Sequence, residues 1–323
     1  PETHHIGRIV LDPNNAEVAH VAALGPLYSA NESGGIYKTT DGGESWQKTL
    51  EVQGSNGLSG AVDLIMDPKN AEHLFAATWD RTRRAWDFQG NGIGSRIWES
   101  TDGGATWRDL TALDGFPQSK FTGRIGLSWH ADSAQLFALV DNQTPQETVD
   151  EEEIGYQADK FIGMNAAAFG NLDTSLLDEF LESNNFPEDI AAIDIFERVR
   201  KGILQPAALH DYLTDGNKAL FETKITGAEV YRLNLQSDEK WERTHSEPLE
   251  NVCYTYGYYF GLIQVDPTDA THLWIAGVPL LESTDGGNDW HSIGAANVHV
   301  DHHFLWVQPC ESATLNQWKR RPV

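Results

Sequence analysis

One eight-residue pattern occurs three times in this chain and constrains its fold more than any other feature. The copies are TTDGGESW at 39–46, STDGGATW at 100–107 and STDGGNDW at 283–290, each between two short strand-like runs. Paired glycines supply positive φ where a chain reverses, and an aspartate accepts hydrogen bonds from the amides of its own turn. The pattern predicts three tight hairpins, called DGG turns below, each with a tryptophan that fills the gap between neighbouring units.

A second pattern leads into the DGG turns: an apolar strand, an Asp-Pro turn and another apolar strand. It occurs at Asp12-Pro13, Asp67-Pro68 and Asp266-Pro267, in a looser form over 125–140, and begins again over 305–309. Each repeat therefore contains four short strands, and a period of roughly 45 to 60 residues is that of a propeller blade. The sequence predicts an all-β fold, namely a β-propeller of about four four-stranded blades plus one strand, with a small α-helical insertion.

The strand pattern stops between 143 and 226, where apolar residues recur at helical spacing. The expected buried faces are Leu176, Leu177, Phe180 and Leu181 in one helix, and Ile190, Ile193, Phe196 and Val199 in a second that begins at Pro187. The predicted organisation is 1–142 for blades 1 and 2 and half of blade 3, 143–226 for the insertion, and 227–323 for the remaining strands. Because a blade needs neighbours to bury its faces, we expect the chain to be part of a longer propeller.

Charge excludes some classes of partner. The net charge is −25, with 48 acidic against 23 basic residues, and nucleic acids and anionic membranes both require a basic surface. No apolar run approaches the length of a membrane span. The cysteines, Cys253 and Cys310, are expected near opposite ends of inner strands, which argues against a disulfide between them. We expect a soluble protein that is extracytoplasmic or secreted.

Propeller geometry predicts where a site lies. The segments that lead into the inner strands are THHIGR, SGAVD, FTGR, YYFG and HVDHH at 3–8, 59–63, 121–124, 258–261 and 299–303. They are expected to converge on one mouth of the central channel, where polar groups in a concavity form a binding site. Arg8 and Arg124 are expected at equivalent positions and can clamp a carboxylate. The alternative is an ion pair with Asp63, in the blade between them.

The candidate ligand-binding residues are His4, His5, Arg8, Arg83, Trp86, Arg124, Tyr258 and Tyr259. The run from Trp79 to Trp86 contains Arg81, Arg83 and Arg84 and suits a sugar or a peptide, although it also fits exposed Arg–Trp stacking. The tyrosines either stack on a ligand or pack between blades. His302 and His303 are candidate ligands of a divalent metal, with structural histidines as the alternative. Since adjacent strand residues point to opposite faces, only some of the histidines can share an ion.

The DGG turns resemble the Asp box, or BNR repeat, of sialidase-like propellers in the pattern Ser/Thr-x-Asp-Gly-Gly-x-x-Trp. Most of the chain also resembles the large bacterial BNR-repeat proteins with a sortilin-type propeller, which are often called glycosyl hydrolases. The runs that carry this resemblance are 2–8, 227–232, 256–261 and 299–303. The group's name implies carbohydrate hydrolysis. The Phe/Tyr-Arg-Ile-Pro motif of sialidases is absent from this sequence, which argues against sialidase activity.

Three functions fit these observations. The first is a binding propeller that captures a glycan or a peptide at the channel mouth. The second is a glycoside hydrolase that acts on an extracellular polysaccharide, with Asp63 and Asp301 as candidate catalytic residues; such enzymes need two carboxyl groups roughly 5 to 10 Å apart. The third is a metal-dependent hydrolase that uses the histidine cluster.

Overall fold

The computed structural model describes residues 3–84, 87–117, 119–146, 155–184, 186–187, 190–213, 225–237, 239–247, 249, 252–253, 261–294 and 298–307. The chain divides into two compact units. Unit 1 comprises Pro1–Thr144 and Ile225–Val323, and unit 2 comprises Pro145–Lys224.

Unit 1 contains four antiparallel sheets of four strands each, and every sheet follows the order of the chain. Blade 1 comprises β1 (His5–Leu11), β2 (Ala19–Gly25), β3 (Gly35–Thr39) and β4 (Gln47–Leu50), and the hairpin β5 (Gln53–Gly54) and β6 (Gly57–Leu58) follows it. Blade 2 comprises β7 (Gly60–Asp67), β8 (Asn70–Trp79), β11 (Ile97–Ser100) and β12 (Arg108–Asp109), with the hairpin β9 (Thr82–Arg84) and β10 (Asp87–Gln89) after its second strand. Blade 3 comprises β13 (Thr122–His130), β14 (Gln135–Pro145), β15 (Ile225–Asn234) and β16 (Trp241–Arg243). Blade 4 comprises β17 (Leu262–Asp266), β18 (Asp269–Ala276), β19 (Leu280–Ser283) and β20 (His291–Ser292).

The inner strands pack side by side. β1 contacts β7, β7 contacts β13, and β13 contacts β17. A separate hydrophobic core lies in each space between blades, around Ile36 and Leu64 for blades 1 and 2, Phe75 and Leu136 for blades 2 and 3, and Phe137 and Ile275 for blades 3 and 4. Each sheet therefore buries its faces against its neighbours, and the predicted all-β propeller with a helical insertion is confirmed.

The DGG turns have the predicted conformation. Both glycines of each turn have positive φ, from 65° at Gly103 to 96° at Gly43. In the first turn the Asp41 carboxylate accepts from the Thr39 hydroxyl at 2.7 Å and from the Ser45 amide at 2.9 Å. Hydrogen bonds from Ser45 and Thr39 lower the pKa of Asp41 to about 2. These carboxylates are occupied by their own turns, so we assign the turns a structural role.

Each DGG turn is also bonded either to the turn between the first two strands of its blade or to the beginning of the second strand. The amide of the first glycine donates to the carbonyl of Glu17, Glu72 or Thr271, at 3.0, 2.8 and 2.8 Å. Both kinds of turn therefore lie at one end of unit 1, the lower end. The inner strands begin at the opposite end, the upper end.

The tryptophans after the DGG turns differ in burial. Trp107 packs against the core between blades 1 and 2, and Trp290 against the core between blades 3 and 4, as predicted. Trp46 of blade 1 is 45% exposed. Blade 3 has no DGG turn, yet its Trp241 is buried and donates from Nε1 to the carbonyl of Leu110 in blade 2 at 2.9 Å.

The register corrects one prediction about the inner strands. Strand β1 ends at Leu11, three residues after Arg8, whereas β13 ends at His130, six residues after Arg124. The expected equivalence of Arg8 and Arg124 is therefore wrong, because the first turn of blade 3 follows His130 rather than Ser128 and leaves Arg124 farther from the lower end.

Unit 2 is helical and has its own core. Its helices are α1 (Ala166–Phe169), α2 (Thr174–Ser183), α3 (Ala192–Arg200) and α4 (Ala207–Leu213), after a 3₁₀ turn at Ala158–Phe161. The side chains of Leu177, Phe180 and Leu181 are buried as predicted. The helix expected from Pro187 begins at Ala192 instead, and it buries Ile195 while Ile193 is exposed. Among the described residues, no helix has the length and apolar character to cross a membrane.

Acidification is expected to destabilise unit 1 through His20, which is buried beside the DGG turn of blade 2. Burial and the charge of Lys38 lower the pKa of His20 from 6.5 to about 4, although Asp12 opposes them. The unfolded chain therefore binds this proton more readily, so the stability that neutral His20 contributes is complete above pH 6.5 and lost as the pH falls towards 4.

We expect a loss of about 2 to 3 kcal/mol from this group between pH 7.5 and 4.5, measured by urea unfolding. In the variant His20→Gln this part of the pH dependence should disappear. An unchanged difference between the two pH values in that variant would show that other groups cause the acid sensitivity.

Candidate functional site at the upper end of unit 1

Asp63 lies at the centre of a hydrogen-bond network that joins the inner strands of three blades. Its Oδ1 accepts from Arg8 Nε at 3.0 Å and from the Leu64 amide at 2.9 Å. Its Oδ2 accepts from the Leu127 amide of blade 3 at 2.9 Å. The residue is 6% exposed. Arg8 and Asp63 therefore form the ion pair that was the predicted alternative to anion binding by Arg8 and Arg124.

Each of the first three inner strands has an irregular register near its upper end. The shifts fall between Ile6 and Arg8, between Ala61 and Asp63, and between Thr122 and Ile125. Such bulges re-aim side chains and are common near functional sites. In blade 3 the bulge brings Gly123 against Asp141, where a Cβ on residue 123 would lie 2.6 Å from Asp141 Oδ2. Glycine at this position leaves room for the carboxylate.

Asp141 of unit 1 is a buried carboxylate whose hydrogen bonding is incomplete. It is 2% exposed, Oδ2 accepts from Gln143 Nε2 at 2.7 Å, and Oδ1 is buried without a hydrogen-bond partner. Burial raises the pKa of Asp141 to about 6, against the opposing effects of Gln143 and of the Arg124 charge. A buried carboxyl group with an unsatisfied oxygen costs stability, which is typical of functional sites. Sequence reasoning missed this residue, although its charge directly follows the apolar run Leu136–Val140.

Replacing Asp141 with asparagine is expected to stabilise the protein at neutral pH. Because the folded pKa is raised, the contribution of Asp141 to stability is complete below pH 3.8 and lost as the pH rises through 6. Asp141→Asn should therefore raise the free energy of unfolding at pH 7.5 by up to about 3 kcal/mol, and by much less at pH 4.

Urea unfolding at both pH values measures this difference. The matched control is Asp132→Asn, because Asp132 is exposed and pairs with Lys69, so no comparable gain is expected. Equal stabilisation at pH 4 and 7.5 would contradict the assignment of a raised pKa to Asp141.

Several arginines meet beside Asp63 and Asp141. The guanidinium carbons of Arg81 and Arg124 lie 5.3 and 5.8 Å from the centre of the Trp79 ring. Burial, followed by the charges of Arg124 and Arg83, lowers the pKa of Arg81 to about 10. Burial also lowers the pKa of Arg124, while the charge of Asp63 opposes it. We call Arg8, Arg81, Arg83 and Arg124 the arginine cluster.

His5 adjoins the arginine cluster. The carbonyl of Gly25 lies 3.1 Å from His5 Nδ1 and 3.4 Å from Arg81 Nη2, which brings both side chains to one atom. The rings of His4 and His5 are stacked with their centres 6.4 Å apart. The structure therefore brings together His5, Arg8, Asp63, Arg81, Arg83 and Arg124. The predicted Trp86, Tyr258 and Tyr259 lie outside the described residues.

The other predicted residues lie beside blade 4. The amides of Asp301 and His302 donate to the carbonyls of Val278 and Gly277 at 3.1 and 2.8 Å. His303 is exposed, and His299 Nδ1 lies 3.9 Å from Asp301 Oδ2. In the part of the chain that the structure describes, no three His, Cys, Asp or Glu side chains form a group that could hold a metal ion.

A cleft of about 670 Å³ at the lower end separates blades 2 and 3. In it, Glu99 pairs with His73 at 3.0 Å and with Arg108 at 2.8 Å. Glu282 of blade 4 pairs in the same way with His272 and His291, at 2.8 and 3.0 Å. Because the arrangement recurs at equivalent positions in two blades, we interpret it as cross-strand stabilisation rather than as a second site.

No family model and no curated protein matches the chain. Among solved structures it is similar to a GH74 enzyme of Niastella koreensis, at 17% identity and a TM-score of 0.42 over 88% of this chain and 29% of that one. It is also similar to a GH74 xyloglucanase of Xanthomonas campestris, at 11% identity and a TM-score of 0.43 over 90% and 31%. YCF48 of Cyanidioschyzon merolae has 12% identity and a TM-score of 0.22 over 90% and 86%. The chain thus spans less than a third of the two GH74 structures, and its assignment as a β-propeller depends on its own sheets.

Proposed function

We propose that the protein is a ligand-binding β-propeller of the Asp-box type that takes up a glycan or a peptide at the upper end of unit 1. The observation that carries the proposal is the arginine cluster, in a chain of net charge −25. Arg81 and Arg124 lie over Trp79, and the charges of Arg8, Asp63 and Asp141 act on Arg124. Buried charges and bulged strands reduce stability, and their concentration at one end is typical of a binding site. The lower end is instead occupied by repeated turn and cross-strand contacts.

The test is a binding screen of the wild-type chain against immobilised neutral and acidic oligosaccharides and short peptides. A double variant, Arg81→Gln with Arg124→Gln, should lose at least about ten-fold in affinity for any ligand found, the loss expected from one or two charge-assisted hydrogen bonds. The matched control is Arg232→Gln, whose side chain pairs with Glu242 at 3.0 Å and lies next to the DGG turn of blade 4. Equal losses in both variants would contradict a site at the upper end.

A glycoside hydrolase is the second candidate, and the raised pKa of Asp141 favours it because a general acid must hold its proton near neutral pH. In this proposal the catalytic carboxyl groups are Asp141 with Asp63 or Asp301. Reducing-sugar release from a panel of plant and bacterial polysaccharides tests it. Asp141→Asn should abolish any release, and release that survives in the Asp63, Asp141 and Asp301 variants would exclude these residues as catalysts.

A further inference from the structure

We infer that the ligand is held through a carboxylate that binds to the guanidinium group of Arg81, on a molecule that is otherwise neutral. This inference rests on the proposed binding function and names the chemical group that the site recognises.

Arg81 differs in its partners from five other arginines of unit 1. These five pair with carboxylates: Arg8 with Asp63, Arg96 with Asp109, Arg108 with Glu99 and Glu239, Arg232 with Glu242, and Arg243 with Glu229. Among the described residues, Arg81 pairs with no carboxylate, and it donates one hydrogen bond, 3.4 Å long, to the Gly25 carbonyl. A guanidinium group has five N–H donors, so most of its donor capacity remains for a ligand.

The neighbouring carboxylate of Asp80 does not neutralise Arg81, because it is turned towards another loop. Asp80 is buried and accepts from the amide and the hydroxyl of Ser55, at 2.9 Å each. Its own amide donates to Ser95 Oγ at 3.0 Å. These hydrogen bonds fix the backbone before Arg81. They also direct the negative charge of Asp80 away from the Arg81 guanidinium group.

The position of Arg81 is also fixed from the side-chain end. Trp79, over which its guanidinium group lies, is 2% exposed and donates from Nε1 to the Gly90 carbonyl at 2.7 Å. A guanidinium group held over an immobile ring loses little conformational entropy on binding. Its fork of donors matches the two oxygens of a carboxylate.

Charge selects the kind of molecule that carries the carboxylate. Arg83 and Arg124 add positive charge close to Arg81, which favours an anionic group at this point. The net charge of −25 on the whole chain repels a polyanion. A single carboxylate satisfies both conditions, and it has two sources: the C-terminus of a peptide, or one uronate residue on a neutral glycan.

The first experiment uses acetate, which is the recognised group alone. Titration of ¹⁵N-labelled protein should shift the Arg81 Nε–Hε resonance, identified by its absence in Arg81→Lys, and should leave that of Arg232 unchanged. No shift of the Arg81 resonance at saturating acetate would overturn the inference, whatever else the protein binds.

The second experiment identifies the source. A neutral hexapeptide is compared as free acid and as C-terminal amide, and a neutral oligosaccharide is compared with the same chain ending in one uronate. In one of the two series we expect the acid to bind at least about ten-fold more tightly, with the difference lost in Arg81→Gln and partly kept in Arg81→Lys. Equal affinity of acid and neutral forms would refute the inference and leave the proposed function intact. An acetate shift without binding in either series would refute the proposed function instead.

Discussion

Replacing Asp63 with alanine is expected to lower the free energy of unfolding by about 3 to 5 kcal/mol, because removing one partner of a buried ion pair leaves the other groups unsatisfied. The substitution removes the acceptor of Arg8 Nε and of the amides of Leu64 and Leu127, so three blades lose one shared contact. Urea unfolding followed by tryptophan fluorescence measures the change.

A double-mutant cycle with Arg8→Ala separates the ion pair from the backbone contacts. Arg8 is the more exposed partner, so its single substitution should cost less than that of Asp63. The double variant should be less destabilised than the sum of the two single variants, because Arg8 is no longer left without its carboxylate. Strict additivity would show that the Arg8–Asp63 contact contributes nothing to stability.

Replacing Trp241 with alanine should lower the free energy of unfolding by a similar amount, about 3 to 5 kcal/mol, since a large buried side chain leaves a cavity that the core refills only partly. Trp241 belongs to the core between blades 2 and 3, and its indole also satisfies the carbonyl of Leu110. The equivalent control is Trp46→Ala, whose side chain is 45% exposed and bonds to Gly43 of its own turn. We expect that control to cost less than about 1 kcal/mol.

The blade architecture was predictable from the sequence because its signals are local. The glycine pairs, the turn aspartates and the alternating apolar runs each determine the conformation of a few neighbouring residues. The DGG turns therefore adopt the expected geometry. The buried face of α2 was equally predictable from the helical spacing of its apolar residues.

The candidate site was less predictable because it depends on register and burial across blades. The looser repeat of blade 3 lacks an Asp-Pro pair, so the position of its turn, and with it the place of Arg124 along the strand, was predicted wrongly. The Arg8–Asp63 contact was foreseen as an alternative, since both residues precede an Asp-Pro turn by the same distance. The residues next to Asp141 in the sequence do not reveal that its Oδ1 lacks a hydrogen-bond partner. Those next to Arg81 do not reveal that its guanidinium group lacks a carboxylate partner among the described residues.

The contacts that join successive blades differ from one another, although the blades themselves repeat. Blades 2 and 3 are linked by Asp63 with the Leu127 amide, and blades 3 and 4 by Ser128 Oγ with the Val265 amide at 2.9 Å. A blade moved to another place in the series would keep its own hairpins and lose its partners on both sides. Duplication can therefore supply new copies of the blade scaffold. The order of the copies is encoded in a few unique residues at the contacts between blades. Recombination between repeats would be selected against at those contacts first.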